Sequence, residues 1–176
     1  SIDIVVNLTN PESHFQISKA ALNAKKHVYS EKPIAMSLEE AIELKELAIK
    51  KGLLLSCAPC NLLSPSSQAL KRAINEDLIG KILLVYASFD AGFTSQSDPS
   101  SWINKSGASW PLEDEYKVGC TFQHSGYILT LFASFFGSAE RILSYSTVLD
   151  HYKNDSGSKT PDYSVVSIEY QNGTVV

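Results

Sequence analysis

Two residues of opposite charge and a proline, Glu31, Lys32 and Pro33, follow the short run His27–Ser30. A lysine ammonium can donate a hydrogen bond to an oxygen that gains negative charge during a reaction, and a neighbouring carboxylate can orient that ammonium. Pro33 restricts the direction of the chain after them, because its ring locks φ. Residue types alone favour a solvated Glu–Lys pair in a turn, so the position of these residues in the fold decides between the two interpretations.

A second polar set lies in the apolar segment Thr121–Phe136. Gln123, Tyr127 and Thr130 are spaced by four and three residues, which places them on one face of a helix. A polar stripe on such a helix is not required for packing, although buried Tyr and Gln also occur in ordinary cores with satisfied hydrogen bonds. His124 lies about 100° around the helix from Gln123. Its imidazole titrates near neutrality, which suits proton transfer.

Residues 1–60 alternate between strand and helix patterns. The predicted strands are Ile2–Leu8, His27–Ser30 and Leu53–Cys57, and the predicted helices run from Pro11 to about Lys26 and from Ser37 to Gly52. Ser37 and Glu40 form the capping-box pattern S-x-x-E, which marks a helix start. Two βαβ units result, and we expect a parallel sheet that is covered on both faces. Ligands of such sheets bind at the carboxyl ends of the strands, where Glu31, Lys32 and Pro33 lie.

The loop after the first predicted strand reaches the same edge of the sheet. It consists of Leu8, Thr9, Asn10 and Pro11. Asn10 suits an N-cap and Pro11 suits the first helical position, so a helix is expected to begin here, with His14 one turn later. The simpler interpretation is an ordinary N-cap with an exposed histidine.

The pattern changes after Cys57, and we predict a domain boundary at residues 58–64. Beyond it the predicted helices are Ser64 to about Leu78 and Thr121–Phe136, and the predicted strands are Lys81–Phe89, Arg141–Leu149 and Tyr163–Tyr170. Asn172-Gly173 is a hairpin-turn signal, which indicates a mainly antiparallel sheet. Residues 90–118 are predicted to be irregular, and such long segments are usually functional or disordered. They carry Trp102 and Trp110, for which a sugar-stacking wall, a lid and a dimer contact are open alternatives.

Composition limits the class of protein. The 176 residues are 44% hydrophobic and carry a net charge of −4, which argues against non-specific binding of nucleic acid. No apolar run is long enough to span a membrane. Three cysteines and no visible signal peptide favour a reducing, cytoplasmic compartment. The chain has no initiating Met and is expected to be part of a longer protein, because both ends fall inside predicted strands.

Cys57 and Cys60 have the CxxC spacing of redox pairs and half zinc sites. No second CxxC or pair of histidines follows at zinc spacing. We therefore interpret them as two small residues at a domain crossover and predict no metal site.

Three stretches resemble one enzyme family in the family's own order. They are VVNLTNPESHFQISKAALNAKKHVYSEKPIAMSLEEAIEL, ALKRAINEDLIGKI and GCTFQHSGYILTLFASFFG. The family is that of glucose–fructose oxidoreductase, inositol dehydrogenase and the rhizopine-catabolism proteins (Gfo/Idh/MocA). The resemblance implies the C-terminal half of a Rossmann dinucleotide-binding domain at 1–60. It also implies a substrate and oligomerisation domain with an open antiparallel sheet at 61–176.

The resemblance implies an NAD- or NADP-dependent dehydrogenase that acts on a sugar, cyclitol or related polyol. Lys32 would project toward the nicotinamide and the substrate hydroxyl, and Glu31 would orient it. The residues implied to line the cofactor are Leu8, Thr9, Asn10, Pro11, His14, Glu31, Lys32 and Pro33. Homo-oligomers would form through the strands at 81–89, 141–149 and 163–170.

The helix at 121–136 departs from the family pattern G-G-x-x-x-D-x-G-x-H-x-x-D, whose Asp and His are taken as catalytic. Aligned on Gly137, the polar positions become Gln123, Tyr127 and Thr130, whereas a shift of one residue places His124 at the Asp position. Either His124 or Tyr127 is then the proton relay. A non-catalytic relative that binds a small molecule or a protein through the same cleft is the alternative.

The glycine-rich turn G-x-G-x-x-G that cradles a dinucleotide pyrophosphate does not occur in these 176 residues. We therefore expect the chain alone to bind NAD(P) poorly and to be inactive.

Overall fold

The structure is a computed structural model that describes residues 2–92, 98–149 and 159–176. The chain divides into two compact units. Residues up to Pro59 together with Pro111–Val118 form the first unit, and the described residues of Cys60–Trp110 and Gly119–Val176 form the second. The predicted domains, 1–60 and 61–176, are continuous segments of the chain. In the structure, residues 111–118 pack with the first unit instead.

The first unit is a parallel three-stranded sheet with helices, as predicted. Its elements are β1 (Ile4–Asn7), α1 (His14–Asn23, preceded by a 3-10 turn at Pro11–Ser13), β2 (His27–Ser30), α2 (Leu38–Lys51), β3 (Leu55–Cys57) and α4 (Leu112–Val118). The strand order is β1-β2-β3, and both pairings are parallel. These strands and helices confirm the α/β prediction for this part of the chain.

Local polar contacts define the ends of α2. The Ser37 hydroxyl accepts a hydrogen bond from the Glu40 backbone N–H at 3.2 Å, which confirms the first half of the capping box. The Glu40 carboxylate accepts from the Met36 N–H at 3.2 Å, one residue earlier than in the usual box. Gly52 ends the helix with a φ of 64°, a left-handed conformation that glycine adopts without strain.

The core of the first unit lies on one face of its sheet. Its buried apolar residues are Phe15, Ala21, Leu22, Val28, Ala35, Leu44 and Ala48. The prediction of a sheet covered on both faces is wrong for the described residues, because Ile4 and Val6 on the other face of β1 are more than half exposed. The physical reason is that α1 and α2 contact each other, and both therefore pack on the same side.

The second unit combines helices with an antiparallel sheet, as predicted. Its remaining elements are α3 (Pro65–Asn75), α5 (Cys120–Phe136), β4 (Ala139–Thr147) and β5 (Tyr163–Tyr170). β4 and β5 pair in antiparallel orientation. The turn at Asn172-Gly173 is confirmed, because Gly173 N–H donates to the Tyr170 carbonyl at 2.8 Å and the chain then returns along β5.

The predicted strand Lys81–Phe89 is wrong in extent and direction. The structure shows only a single parallel bridge in that segment, between Leu84 and Val175. Val85 N–H donates to the Val175 carbonyl at 2.9 Å, and Val175 N–H donates to the Leu83 carbonyl at 3.0 Å. An apolar alternating pattern forms a strand only where a partner backbone lies alongside it, and among the described residues that partner is one peptide unit long.

The predicted irregular segment 90–118 is partly ordered. Residues 93–97 lie outside the described residues. Trp102 and Trp110 close a short antiparallel loop, with Trp110 N–H donating to the Trp102 carbonyl at 2.9 Å and the two ring centroids 5.1 Å apart. The segment ends in α4, which follows Pro111 and carries three acidic residues, Glu113, Asp114 and Glu115, in its first turn. These are ordinary helix-start signals, but two turns are too short to show helical periodicity.

We expect Leu44→Ala to lower the free energy of unfolding by about 3 kcal/mol, because a fully buried leucine leaves a cavity when it is truncated. Leu54→Ala is the matched control, since Leu54 is 74% exposed. Urea unfolding measures both. Equal losses in the two variants would contradict this assignment of the core.

Candidate functional site

The carboxyl ends of the three parallel strands meet at one rung. Asn7 is the register partner of Ser30, and Ser30 is the register partner of Cys57. Two further hydrogen bonds extend the ladder past the strands, from Glu31 N–H to the Asn7 carbonyl at 2.8 Å and from Ala58 N–H to the Ser30 carbonyl at 2.9 Å. The loops after β1, β2 and β3 therefore leave the sheet side by side, as a ligand site at this edge requires.

Asn7 organises the loop that follows β1, and sequence reasoning missed it as a site residue. Its side chain is buried, and its amide N–H groups donate to the His14 carbonyl and to the Ser18 hydroxyl, both at 3.1 Å. Its side-chain oxygen, Oδ1, accepts hydrogen bonds from the Thr9 hydroxyl at 2.7 Å and from the Thr9 backbone N–H at 3.3 Å. The available signal was a polar residue at the end of an apolar strand, because a buried amide must find such partners.

His14 is buried, with 1% of its surface exposed, whereas the simpler interpretation of the sequence had it exposed. Its Nδ1 lies 2.6 Å from the Pro33 carbonyl oxygen, and its Nε2 lies 2.8 Å from the Thr9 carbonyl oxygen. The ring therefore connects the loop after β1 with the loop after β2.

Lys32 is half-buried at the end of β2. Its backbone N–H donates to the Glu31 carboxylate at 2.9 Å, and the peptide bond between Lys32 and Pro33 is cis. Burial lowers the pKa of the Lys32 amine, and the negative charges of Glu115 and Glu31 oppose that shift. An ammonium in a partly dry environment interacts strongly with an oxyanion.

The helix α4 brings acidic residues to this edge. Asn10 donates through its side-chain amide to the Asp114 carboxylate at 2.9 Å, and Lys117 forms an ion pair with Glu12 at 2.9 Å. Asn10 occupies the N-cap position of the 3-10 turn, but its side chain makes no capping hydrogen bond. Glu115 lies on the same helix and acts electrostatically on Lys32. Sequence reasoning did not identify this residue.

The other residues of the predicted cofactor loop differ in exposure. Leu8 is 70% exposed and can contact a ligand, whereas Pro11 is buried. Thr9 is exposed, but its hydroxyl is bound to Asn7. Together with Lys32, these residues provide an apolar surface, nearby backbone groups and one cation. This combination fits part of a cofactor site.

Cys57 lies against the Glu31–Lys32 loop. Its thiol donates to the Glu31 carbonyl at 3.5 Å, and burial raises the pKa of this thiol to about 11, with a further contribution from the charge of Glu31. A thiol with so high a pKa is a poor nucleophile and a poor redox group near neutrality.

In the second unit, two rings on α5, those of His124 and Tyr127, form an aromatic cluster with Phe89. Phe89 stacks on His124, with centroids 5.2 Å apart, and on Tyr127, with centroids 5.8 Å apart and planes 7° from parallel. Tyr127 and His124 therefore share one apolar neighbour. Gln123 and Thr130 lie on the same helix and are partly buried. The polar face that they were predicted to form with Tyr127, and its chemical role, stay a prediction.

The start of α5 depends on Gly119. This residue has a φ of 75°, and a Cβ added there would lie 2.8 Å from the Thr160 Cβ. A side chain larger than glycine at position 119 would have to displace the adjacent segment.

Asn61 contacts a later turn of the same helix. Its side-chain amide donates to the Tyr127 carbonyl at 2.7 Å, and its buried Oδ1 has no hydrogen-bond partner.

The described part of the chain contains no group of three or more His, Cys, Asp or Glu side chains placed to hold a metal ion. In residues 2–92, 98–149 and 159–176, none of the helices has the length and apolar character needed to cross a membrane.

Similarities to known proteins support the family resemblance and the fold described above. Residues 1–58 match the Gfo/Idh/MocA family model, described as an oxidoreductase family with an NAD-binding Rossmann fold. These residues are therefore similar to that oxidoreductase family, and the resemblance stated from the motifs is confirmed for them. The family's cofactor is NAD, which agrees with the predicted nicotinamide cofactor.

Particular relatives extend the match beyond residue 58. An uncharacterized oxidoreductase of Schizosaccharomyces pombe, C115.03, is 29% identical over 170 residues, which cover 97% of this chain and 43% of that protein. The D-xylose dehydrogenase of Paenarthrobacter nicotinovorans is 32% identical over 89 residues, which cover 51% of this chain and 23% of that enzyme.

The fold also matches solved structures of oxidoreductases. The WlbA dehydrogenase of Bordetella pertussis, solved with NADH and UDP-GlcNAcA, superposes with a TM-score of 0.75 at 20% identity, covering 99% of this chain and 50% of that one. The chain spans half or less of the length of these proteins.

We expect Glu115→Gln to move the titration of the Lys32 amine to lower pH. The wild-type carboxylate raises the pKa of Lys32 against the effect of burial, so its removal leaves burial less opposed. Glu113→Gln is the matched control, because it removes an exposed charge from the same helix. NMR detection of the Lys32 side chain across alkaline pH measures both. A Lys32 midpoint that stays in place or rises in Glu115→Gln would refute the role of Glu115.

We expect Cys57 to react with iodoacetamide far more slowly than Cys60. At a pKa of about 11, roughly one Cys57 thiol in a thousand is ionised at pH 8. Cys60 is exposed and serves as the internal control. Peptide mass mapping over time gives both rates, and equal rates in the folded protein would show that Cys57 is not held as described.

Proposed function

We propose that the full-length protein that carries this chain is an NAD(P)-dependent dehydrogenase. It would transfer a hydride between the nicotinamide cofactor and a hydroxyl carbon of a sugar, cyclitol or related polyol. The observation that carries this proposal is the half-buried Lys32 at the carboxyl end of β2, inside the segment that matches the family.

Lys32 would act on the oxygen of the reacting hydroxyl. When a hydride leaves the carbon, the hydroxyl loses its proton, and negative charge develops on that oxygen. An ammonium that is already fixed in a partly dry site stabilises this charge without reorganisation. Glu31 and Glu115 support the role, because their charges oppose the lowering of the Lys32 pKa by burial and so favour the protonated amine.

The loop of Leu8, Thr9, Asn10 and Pro11 would hold the nicotinamide side of the cofactor. Its exposed apolar residue, Leu8, supplies a surface for a planar ring, and the hydrogen bonds of Asn7 to Thr9 and of Asn10 to Asp114 fix the loop. A bound nicotinamide would accept the hydride. The chain's own residues orient it and shield the reacting carbon from water.

The proton of the substrate hydroxyl would pass to α5, and His124 and Tyr127 are both candidates for the relay. An imidazole accepts a proton near neutrality, whereas a tyrosine requires a nearby cation to lower its pKa. Phe89 contacts both rings and provides the apolar side of this group. Gln123 and Thr130 would contribute hydrogen bonds to the substrate.

The substrate class is supported by relatives. One is a D-xylose dehydrogenase, and one solved neighbour holds a nucleotide-linked sugar acid. Sugars and cyclitols share vicinal hydroxyl groups and a face of C–H bonds. A pair of tryptophans such as Trp102 and Trp110 can stack on that face.

A second candidate function is binding without catalysis, through the same residues. The observation that favours it is the replacement of the family's Asp and His on α5 by Gln123, Tyr127 and Thr130, or by His124 in the shifted alignment. A dehydrogenase assay separates the two functions, because the binding protein would show affinity without turnover.

We propose that the protein assembles as a homo-oligomer through the outer face of the β4–β5 sheet. The residues that share this face are Leu143, Tyr145, Tyr163 and Val165, as their register pairs show. All four are exposed. A contiguous apolar surface of this kind is typical of an interface between protein chains.

Lys32→Ala in the full-length protein should lower turnover at least about a hundredfold, since a charged donor beside a developing oxyanion contributes on the order of 3 kcal/mol. Binding of NAD(P) should change little. Steady-state kinetics and cofactor titration measure the two effects. Lys50→Ala, which removes an exposed lysine from the end of α2, is the control.

His124→Ala and Tyr127→Phe should divide the remaining effect, and the larger loss identifies the relay. A Lys32→Ala enzyme that keeps more than about half of the wild-type turnover would rule out the proposed role, because loss of a charge beside the reacting oxygen is never that mild.

A further inference from the structure

His14 connects the two loops that carry the candidate site. Its ring is buried at the start of α1 and makes one close contact with each loop, at 2.6 Å to the Pro33 carbonyl and at 2.8 Å to the Thr9 carbonyl. The contact with Thr9 has the usual length of an N–H···O hydrogen bond, and the contact with Pro33 is slightly shorter than usual. Pro33 directly follows Lys32, so the position of the ring is coupled to the backbone that supports the Lys32 side chain.

The two partners are both carbonyl oxygens, which only accept hydrogen bonds. A neutral imidazole has one N–H and one nitrogen lone pair. It can therefore donate to one of the two carbonyl oxygens, but its lone pair faces the other oxygen and repels it. An imidazolium has two N–H groups and satisfies both. An opposed pair of acceptors in a buried position would be destabilising, because neither lone pair can reach water.

The surrounding charge is compatible with an imidazolium. The charged side chains on the adjoining segments are Glu12 in the 3-10 turn, Glu31 and Lys32 after β2, and Glu113, Asp114, Glu115 and Lys117 on the nearby α4. Five of these are carboxylates and two are amines. A positive ring therefore meets net negative charge on these segments.

We propose that His14 is a positioning residue that donates a hydrogen bond from each ring nitrogen and thereby holds the Thr9 loop and the Lys32–Pro33 loop in fixed relation. The sequence had placed His14 among residues that contact the cofactor. With both nitrogens bound to backbone carbonyls, the ring acts on the reaction through Lys32. This last step rests on the proposed dehydrogenase function, whereas the hydrogen bonds do not.

The hydrogen bonds are tested without any activity measurement. NMR of the full-length protein labelled with ¹⁵N should show a proton on both ring nitrogens of His14 at neutral pH, and these protons should exchange slowly with water. A ring with one unprotonated nitrogen would overturn the proposal, whether or not the protein is an enzyme.

The action through Lys32 is tested by a double-mutant cycle. His14→Phe keeps the ring shape and removes both donors, and it should slow single-turnover hydride transfer about tenfold. In a Lys32→Ala background the same change should have less than about a twofold effect, because the group that it positions is gone. Equal effects in the two backgrounds would show that His14 does not act through Lys32.

Two further variants separate positioning from general loss of stability. His14→Gln keeps an NH₂ group with two N–H donors and should restore hydride transfer to within about threefold of wild type. His27→Phe is the matched control, because His27 accepts a backbone hydrogen bond from Leu54 at 2.9 Å at the opposite end of β2. This control should lower stability without slowing hydride transfer. Equal slowing by His27→Phe would overturn the positioning role.

Failure of the proposed function is a distinct result. If Lys32→Ala has wild-type turnover, or if no substrate of the proposed class is oxidised, the dehydrogenase proposal fails. The NMR result then still decides whether His14 donates from both nitrogens.

Discussion

The candidate site depends on the register of three parallel strands. Asn7, Ser30 and Cys57 form the last rung of the sheet, and each is followed at once by a loop that contributes to the site. The register is fixed by the burial of one face, since a slip of one residue would turn every core side chain of a strand toward solvent. Lys32, the Thr9 loop and the Cys57 thiol are therefore neighbours because of the sheet, although 48 residues separate Thr9 from Cys57.

The edge that this register creates is unusually polar for a buried region. Asn7, His14 and Ser30 are all buried there, and the Ser30 hydroxyl has no hydrogen-bond partner. An unsatisfied buried hydroxyl costs about 1–3 kcal/mol, and apolar residues would make a more stable core. The polar side chains instead hold two loops in defined positions, which is what a half-buried amine requires if it is to meet a reacting oxygen at a fixed distance.

Much of the first unit was predictable from the sequence, because its strands and helices follow from local patterns. The capping box at Ser37 and the apolar run before Glu31 each define an element within a few residues. The strand predicted at Lys81–Phe89 was wrong because pairing depends on a distant backbone. Glu115 and the two-sided contacts of His14 were missed for a similar reason: α4 and the paired loops come together only in the tertiary structure. The departure of α5 from the family pattern was visible in the sequence, but neither the sequence nor the stacking of Phe89 decides between His124 and Tyr127 as the relay.

We propose that this site moves a hydride from a polyol carbon to a nicotinamide. Isotope transfer tests it most directly. The full-length protein would be incubated with NAD⁺ or NADP⁺ and a panel of sugars and cyclitols deuterated at the hydroxyl-bearing carbons, and the recovered cofactor would be weighed by mass spectrometry. We expect one deuterium to appear on the nicotinamide ring with at least one member of the panel. Tight binding of a panel member and cofactor with no deuterium on the recovered nicotinamide would contradict it, and would favour the binding protein over the enzyme.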